Sequence, residues 1–406
     1  MLELEAMLTT VQPSHCLKTQ DYPSLIKYMG SKSKIMDFVL SGINQVRDDR
    51  PICDLFSGSG SLSGAIGQQA TVVSNDIQAY SGLLADTYNR AYRDQATPSA
   101  NHLTDAAAEI LEQRKRKISV DYSSEMSFAA FNEYERNQRD LLTQDFDYKW
   151  HLFAKNYSGT WWSYEQCLWI DAIREVAEGY RFNSVYPAIM SSLMFAMAYA
   201  SQGTGHYAQY RDAKTHSAHK DILTYRKRSI GQYFQRKYSE LLDYIPDRPF
   251  SAPHRSTTLD FKECLSTFEG GTVYADPPYC FVHYSRFYHA LETLVLYDFP
   301  RLQIQRGNVV KGRYREVRHQ SPFCIRSQVR GAFEDLFEGV RASHSSLVLS
   351  YSNTGMISLD ELLAIGEKIL PNKKLEILTI EHEHMTMGRK EDRQRSVKEA
   401  LLLARA

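Results

Sequence analysis

The chain has 406 residues, 43% hydrophobic and 24% charged, which excludes disordered and collagen-like classes and leaves ample material for a buried core. Its 48 Lys and Arg balance 48 Asp and Glu, so any affinity for a polyanion has to come from local patches. At about 150 residues per domain, two or three domains are expected.

Met1 to Val11 lacks the basic-then-apolar order of a secretion signal, and residues 1–20 show no periodicity, so a loose tail and a cytoplasmic protein are expected. Ile52-Cys53-Asp54-Leu55-Phe56 then forms a short apolar run that ends in Ser57-Gly58-Ser59-Gly60. Leu62 to Gln69 has helical character, and Ala70 to Asp76 is a second β-rich run closing on a carboxylate. Strand, glycine turn, helix and strand make one βαβ unit, which implies a parallel sheet. From about 80 to 245 the pattern is helical, with polar loops and basic clusters. The apolar run Tyr186 to Ala200 is too short to span a bilayer and fits a buried helix. Trp161, Trp162, Tyr164 and Trp169 fit core packing of that helical part, and Arg114 to Lys117 a helix surface. Alternation resumes with the strand Gly271 to Asp276, a helix near Tyr288 to Tyr297, the strand Ser346 to Tyr351 and a helix at Leu359 to Ile369. Leu375 to Glu381 and Val397 to Leu403, joined by the charged loop Met387 to Ser396, fit an antiparallel hairpin on a sheet edge. The expected fold is a doubly wound α/β domain over 20–92 and 246–406, interrupted by a mainly helical insertion over 93–245.

The six cysteines lie far apart and none has zinc-ligand spacing to a His pair, so neither a metal site nor a disulfide framework is expected. The chemistry concentrates elsewhere. Glycines between a strand and a helix let a ligand approach the backbone, and Asp76 after the next strand suits ribose hydroxyls. A nicotinamide fold uses the same device, and a tight turn without a ligand has the same composition. Asp54-Leu55-Phe56-Ser57-Gly58-Ser59-Gly60 nevertheless differs from the Gly-x-Gly-x-x-Gly of pyrophosphate loops, which favours a ligand such as S-adenosylmethionine.

Asp276-Pro277-Pro278-Tyr279 follows a strand directly. A heteroaromatic amine is a poor nucleophile because its lone pair is delocalised. The Asp276 carboxylate and the Pro277 carbonyl are suited to accept both amine hydrogens and draw the nitrogen toward a tetrahedral geometry. Two prolines stiffen that carbonyl, and Tyr279 offers a face on which an extruded base stacks. The bland alternative is a proline-stiffened strand exit with a packing tyrosine. Lys27-Tyr28-Met29-Gly30-Ser31-Lys32, taken by itself, is only a basic turn before a helix.

Read in order, these three segments resemble the Dam-like, alpha-group DNA N6-adenine methyltransferases over roughly residues 25–90 and 255–403. The resemblance implies a Rossmann-like methyltransferase sheet and methyl transfer from S-adenosylmethionine to N6 of an adenine flipped out of duplex DNA. It implies catalysis by Asp276, Pro277, Pro278 and Tyr279. Cofactor contacts are implied for Tyr28, Lys32, Asp54, Phe56, Gly58, Gly60, Asp76 and Asp276, and for Asp260-Phe261. A restriction endonuclease or defence-system partner is a further implication, and no metal or membrane partner is expected. The 216 positions from Gly60 to Asp276 exceed the compact Dam enzymes, so recognition details do not carry over. Methylation of RNA adenine or of cytosine N4 uses the same acid-proline-proline-aromatic logic, and a sequence-recognition subunit with a vestigial core is the rival from another class.

Basic runs at 201–240 (net +5) and 301–330 (net +7), interleaved with tyrosines, suit phosphate contacts. Arg211, Lys214, Arg226, Lys227, Arg228, Arg306, Lys311, Arg313 and Arg315 are the candidates, against the alternative of a solvated basic face. The Gly203 to Tyr207 loop is expected to be flexible and to place His206 where it can probe DNA. Tyr284 to His289 either helps to hold the flipped base or begins the next helix.

Overall fold

The computed structural model describes residues 15–115, 120–123, 125–203, 205–279, 283–353, 355–385 and 394–405. The expected tail up to residue 14, Arg116 and Lys117, Cys280 and most of the Met387 to Ser396 loop lie outside them.

The chain runs α1 (Met36–Val46), β1 (Ile52–Asp54), α2 (Ser61–Ile66), β2 (Val72–Asn75) and α3 (Ala79–Asn89). Seven helices follow: α4 (Ala100–Arg114), α5 (Phe128–Arg139), α6 (Leu152–Tyr157), α7 (Tyr164–Glu178), α8 (Tyr186–Ala200), α9 (His216–Arg226) and α10 (Ile230–Tyr244). Then come β3 (Arg255–Thr257), α11 (Phe261–Thr267), β4 (Thr272–Ala275), α12 (Tyr284–Phe287), α13 (His289–Leu296), β5 (Ile304–Gln305) and β6 (Asn308–Val309). The chain closes with α14 (Val329–Ala342), β7 (Ser346–Ser352), α15 (Leu359–Ile369), β8 (Lys374–Met385) and β9 (Gln394–Arg405).

Seven strands form one sheet in the order β3-β2-β1-β4-β7-β9-β8, with β9 antiparallel to both its neighbours and the other pairings parallel. The central strands β1, β2, β4 and β7 are buried along their whole length, as expected for strands covered on both faces. Successive residues therefore feed opposite cores. Ile52, Val72, Tyr274, Val348, Leu401 and Leu403 pack with α1 and α2, while Cys53, Val73, Val273, Leu347, Leu402 and Ala404 pack with α11, α14 and α15. This is a mixed α/β fold around a mostly parallel sheet, and the edge hairpin lies where its two apolar runs indicate.

One strand was not foreseen, and two expectations are corrected. The strand β3 carries Arg255-Ser256-Thr257 on an exposed edge, too short and polar to show a pattern. Residues 15–20 are no loose tail: Leu17 is buried, its backbone pairs with the Asn44 side chain, and Gln20 N–H donates to Ala65 O at 2.8 Å. His206 is buried against the Phe287 ring, and Tyr207 beside it enters the core, so this loop offers no probing histidine.

Helices α4, α6, α7, α8 and α10 share a core with α3 and α13, while α5 and α9 pack in a small cluster of their own through Phe131, Ile222 and Leu223. In the shared core, Trp161, Trp162, Met190 and Phe234 join Tyr80, Leu84 and Tyr88 of α3 and Leu291 and Leu294 of α13. The helix α8 coincides with the expected buried run, and Ser163 and Gln166 close a capping box at the start of α7. The Arg226 guanidinium, at the end of α9, is the polar fastener of this layer. It donates to both Glu135 oxygens (2.8 and 2.7 Å) and to the carbonyls of Thr160 and Trp161 and the Gln202 side chain. Both partners are buried, and Tyr122 OH donates to the same carboxylate. Glu135→Ala leaves a buried guanidinium uncompensated, so urea unfolding should show a loss of about 3–5 kcal/mol. A loss below about 1 kcal/mol contradicts this role for the pair.

Candidate active site

At their C-terminal ends β1, β2 and β4 deliver Asp54, Asp76 and Asp276 to one cavity of about 1170 Å³, open mouth included. Parallel strands all point their carbonyl ends the same way, so the turns that follow them meet in one crevice. Two glycines shape the turn after β1. Gly58 has φ +52°, and a Cβ there would stand 3.0 Å from the Tyr28 ring; Gly60 has φ +71° and faces the backbone of Ala85 in α3. Gly58 N–H donates to Asp76 Oδ2 (3.0 Å), and Gln78 N–H to Asp76 Oδ1 (2.9 Å), so one carboxylate ties the glycine turn to the β2 exit. Asn75 completes the tie: its side chain donates to the carbonyls of Leu55 and Leu259 and accepts from Thr257 OH.

Tyr28, Lys32, Asp54, Phe56, Gly58, Asp76, Asp260, Phe261, Asp276, Pro277, Pro278 and Tyr279 line the cavity together. Gly60 does not line it; its lack of a side chain serves the close packing of α2 on α3 instead. Phe56 packs with Phe261 and Phe323 as one aromatic wall, and Asp260 caps α11 by accepting from Lys262 N–H. Tyr28 stacks on Tyr288 (4.7 Å) and lies beside Tyr284 (5.8 Å) in a cluster of three tyrosines, and Tyr288 OH accepts from Met29 N–H at 2.8 Å. The aromatic run after Asp-Pro-Pro-Tyr begins α12, one of the two expected alternatives, and Tyr284 also lines the cavity.

Lys32 is the one Lys or Arg among the described residues lining the cavity. Its buried Nζ lies 3.2 Å from Asp276 Oδ1 and 3.7 Å from Glu399 Oε2, and donates to Tyr279 OH at 3.4 Å. Tyr279 OH in turn donates to Glu399 Oε1 at 3.2 Å, with the ammonium 5.1 Å from the Tyr279 ring centre. Burial works against the lysine charge, but Asp276 and Glu399 outweigh it and hold its pKa above the ordinary value. Burial pushes Asp276 up to about 6, with Lys32 opposing the rise and Glu399 adding to it. Burial also raises Asp54 well above the carboxylate range, helped by Asp276 and Asp76, and its Oδ1 is buried with no hydrogen-bond partner. Asp76 rises with burial too, partly offset by the N–H donors of Gln78 and Gly58.

Glu399 and Asn75 escaped the reading of the sequence, as did His319, Ser321 and Pro322 on the cavity wall. A signal for Glu399 existed: it is a lone acid on the face of β9 that otherwise carries Leu401 and Leu403.

The basic candidates separate into three groups. Arg226 and Arg313 are buried, which corrects their expected place on a phosphate-facing surface. Arg211 pairs with Asp221 (2.7 Å), Lys311 with Asp212 (2.8 Å) and Arg315 with Asp298 through two bonds, while Arg228 donates to Tyr199 O and lies over the Tyr225 ring. Lys214, Lys227 and Arg306 are exposed.

The model of the D12 class N6 adenine-specific DNA methyltransferases matches residues 28–343. Among curated proteins, the modification methylase LlaI of Lactococcus lactis subsp. lactis is 23% identical over 365 residues, covering 88% of this chain and 51% of its own length. The type II methyltransferase M.FokI of Planomicrobium okeanokoites is 23% identical over 84% of this chain and 46% of its own length. M.NlaIII of Neisseria lactamica is 24% identical over 91% of this chain and 95% of its own. The chain therefore spans about half the length of the LlaI and FokI methylases and nearly all that of the NlaIII enzyme. The matched region runs from Tyr28, at the cavity, through Asp-Pro-Pro-Tyr to the end of α14, and on that extent the chain belongs to the D12 class of N6 adenine-specific DNA methyltransferases.

Proposed function

We propose that this chain transfers a methyl group from S-adenosylmethionine to the N6 amine of an adenine flipped out of duplex DNA. The observation that carries this reading is Asp276-Pro277-Pro278-Tyr279 at the exit of β4, inside a cavity shared with the glycine turn and Lys32. The cavity also suits a cationic cofactor. Asp54, Asp76 and Asp276 line it and Glu399 stands behind, while a single ammonium opposes them. The unpartnered Asp54 Oδ1 is an acceptor for the cofactor's ammonium, and Asp76 keeps acceptor capacity for ribose hydroxyls beside the N–H bonds it already takes. Phe56 and Phe261 offer an apolar slot with Asp260 at its rim.

Bound there, S-adenosylmethionine supplies an electrophilic methyl on a sulfonium, which leaves as a neutral thioether. The chain's own residues prepare the nucleophile. Asp276, charged, accepts one amine hydrogen and the Pro277 carbonyl the other, which localises the nitrogen lone pair toward the methyl carbon. Tyr279 gives the extruded ring a stacking face, and Lys32 keeps Asp276 ionised against burial. As the N–C bond forms and the S–C bond breaks, the amine loses one hydrogen as a proton, and Asp276 lies in position to receive it.

In this reading residues 20–92 and 246–406 form the catalytic part of a methyltransferase-type sheet, and 93–245 form an insertion that recognises the DNA target. Lys214 and Lys227 of the insertion and Arg306 of the catalytic part are the exposed phosphate contacts. A restriction endonuclease or another defence component is the partner proposed for the chain, acting where chromosomal DNA lies, in the cytoplasm.

Asp276→Asn should lower single-turnover methyl transfer by about a hundredfold or more, about 2.7 kcal/mol of barrier, while duplex affinity stays within about threefold. A rate within about tenfold of wild type removes Asp276 from the chemistry. Calorimetric titration of S-adenosylmethionine without DNA tests the cofactor side. Asp76→Ala should weaken binding at least about tenfold, since two hydrogen bonds to a charged acceptor are lost. Unchanged affinity makes Asp76 a strand-end residue only.

A further inference from the structure

A second cavity, of about 620 Å³ with its mouth included, opens between α5, Gln202, residues 210–214, α9 and Lys311. Its lining is mostly polar, and its charges do not balance. Each acid at or beside it is already engaged: Glu135 by Arg226, Asp212 by Lys311 and Asp221 by Arg211. Two cations of its lining are left over. Arg139, half-buried on the wall, donates one bond to Gly159 O and forms no ion pair among the described residues. Lys214 stands exposed at the rim, again with no ion pair among them.

Behind that wall rather than on it, Arg313 is only 4% exposed, and its Nε has no hydrogen-bond partner. Burial lowers its pKa to about 10, and the strongest charged neighbour is another cation, Arg139, with Tyr210 of the cavity wall opposing. A guanidinium buried beside a second one, without a carboxylate, is a costly arrangement for an empty protein. An anion held in the cavity by Arg139 and Lys214 offsets that cost, and a guanidinium fork matches phosphate oxygens.

We propose that this cavity binds a phosphate group, held by Arg139 and Lys214 in the field of Arg313. The function proposed above makes a DNA backbone phosphodiester its source, and that part rests on the methyltransferase reading; a free phosphate has the same chemistry. The location suits the backbone source. Lys311 and Arg313 belong to the segment between α13 and α14, which also carries His319, Ser321 and Pro322 of the catalytic cavity wall. A phosphate held here would fix the duplex relative to the same segment that borders the catalytic site.

Thermal melting of the full chain in inorganic phosphate, against chloride at matched ionic strength, tests the site. A scrambled duplex titrated over a salt series tests the source. Wild type should melt higher in phosphate with saturable dependence, and Arg139→Gln/Lys214→Gln should not. Both side chains are exposed or half-buried, so the variant is expected to fold; Arg139→Lys, which keeps the charge and loses the fork, should keep part of the effect. If the backbone is the source, the slope of log affinity against log salt falls by about 0.9 for each lost contact, so by about 0.9–1.8 in the double variant. A lost phosphate effect with an unchanged slope upholds the site and assigns it a free phosphate. A phosphate effect in a wild-type chain that binds no duplex upholds the site and fails the DNA reading. Equal melting of wild type in phosphate and chloride, with equal slopes for wild type and variant, overturns the proposal.

Discussion

One buried ammonium holds the strand ends together. Lys32 Nζ stands between Asp276 and Glu399 and touches Tyr279 OH, so residues from the N-terminal segment, the β4 exit and the edge hairpin meet at a single charge. In a low-dielectric cavity, two neighbouring carboxylates cannot both stay ionised without a cation between them. A positive group placed there decides whether Asp276 is an acceptor or an acid. The architecture serves that placement: Ser31 caps the short helix that begins at Lys32, and the Tyr28 stack with Tyr284 and Tyr288 pins the loop just before it.

The rest of the cavity follows from the same economy of charge. A parallel sheet brings the carbonyl ends of its strands together, and this one closes three of them on acids. Asp76 is held by backbone N–H groups, Asp276 by Lys32, and Asp54 by nothing on its Oδ1. Asp54 Oδ1 is a buried carboxyl oxygen of this cavity with neither a hydrogen bond nor an ion pair among the described residues, and the proposed cationic cofactor would give it a partner.

The strand ends were legible because their signals are local. An apolar run closing on an acid, followed by glycines or prolines, needs no distant partner to be interpretable, and Asp54, Gly58, Asp76 and Asp276 all met as expected. The basic runs were less legible. Charge along the chain does not reveal whether a side chain finds an acid far away: Arg226 meets Glu135 across 91 positions and becomes a core fastener, and Arg315 is spent on Asp298. Glu399 stands out only as the lone acid of β9, and nothing local to it shows that its partner Lys32 lies at the other end of the chain. The edge strand β3 left no trace, because three polar residues on a rim carry no periodicity. His206 looked mobile from its glycine neighbours, yet packing against Phe287 decided its place.

The central claim is that Lys32 sets the protonation of Asp276, and the most direct measurement is a carbon NMR titration of the Asp276 carboxyl in the full chain and in Lys32→Met. The wild-type carboxyl should titrate near 6, ionised above that pH and protonated below it. With the ammonium removed, burial and Glu399 act unopposed, and the midpoint should rise by about one pH unit or more. A wild-type midpoint near the ordinary aspartate value of about 4, unmoved in the variant, would contradict the account.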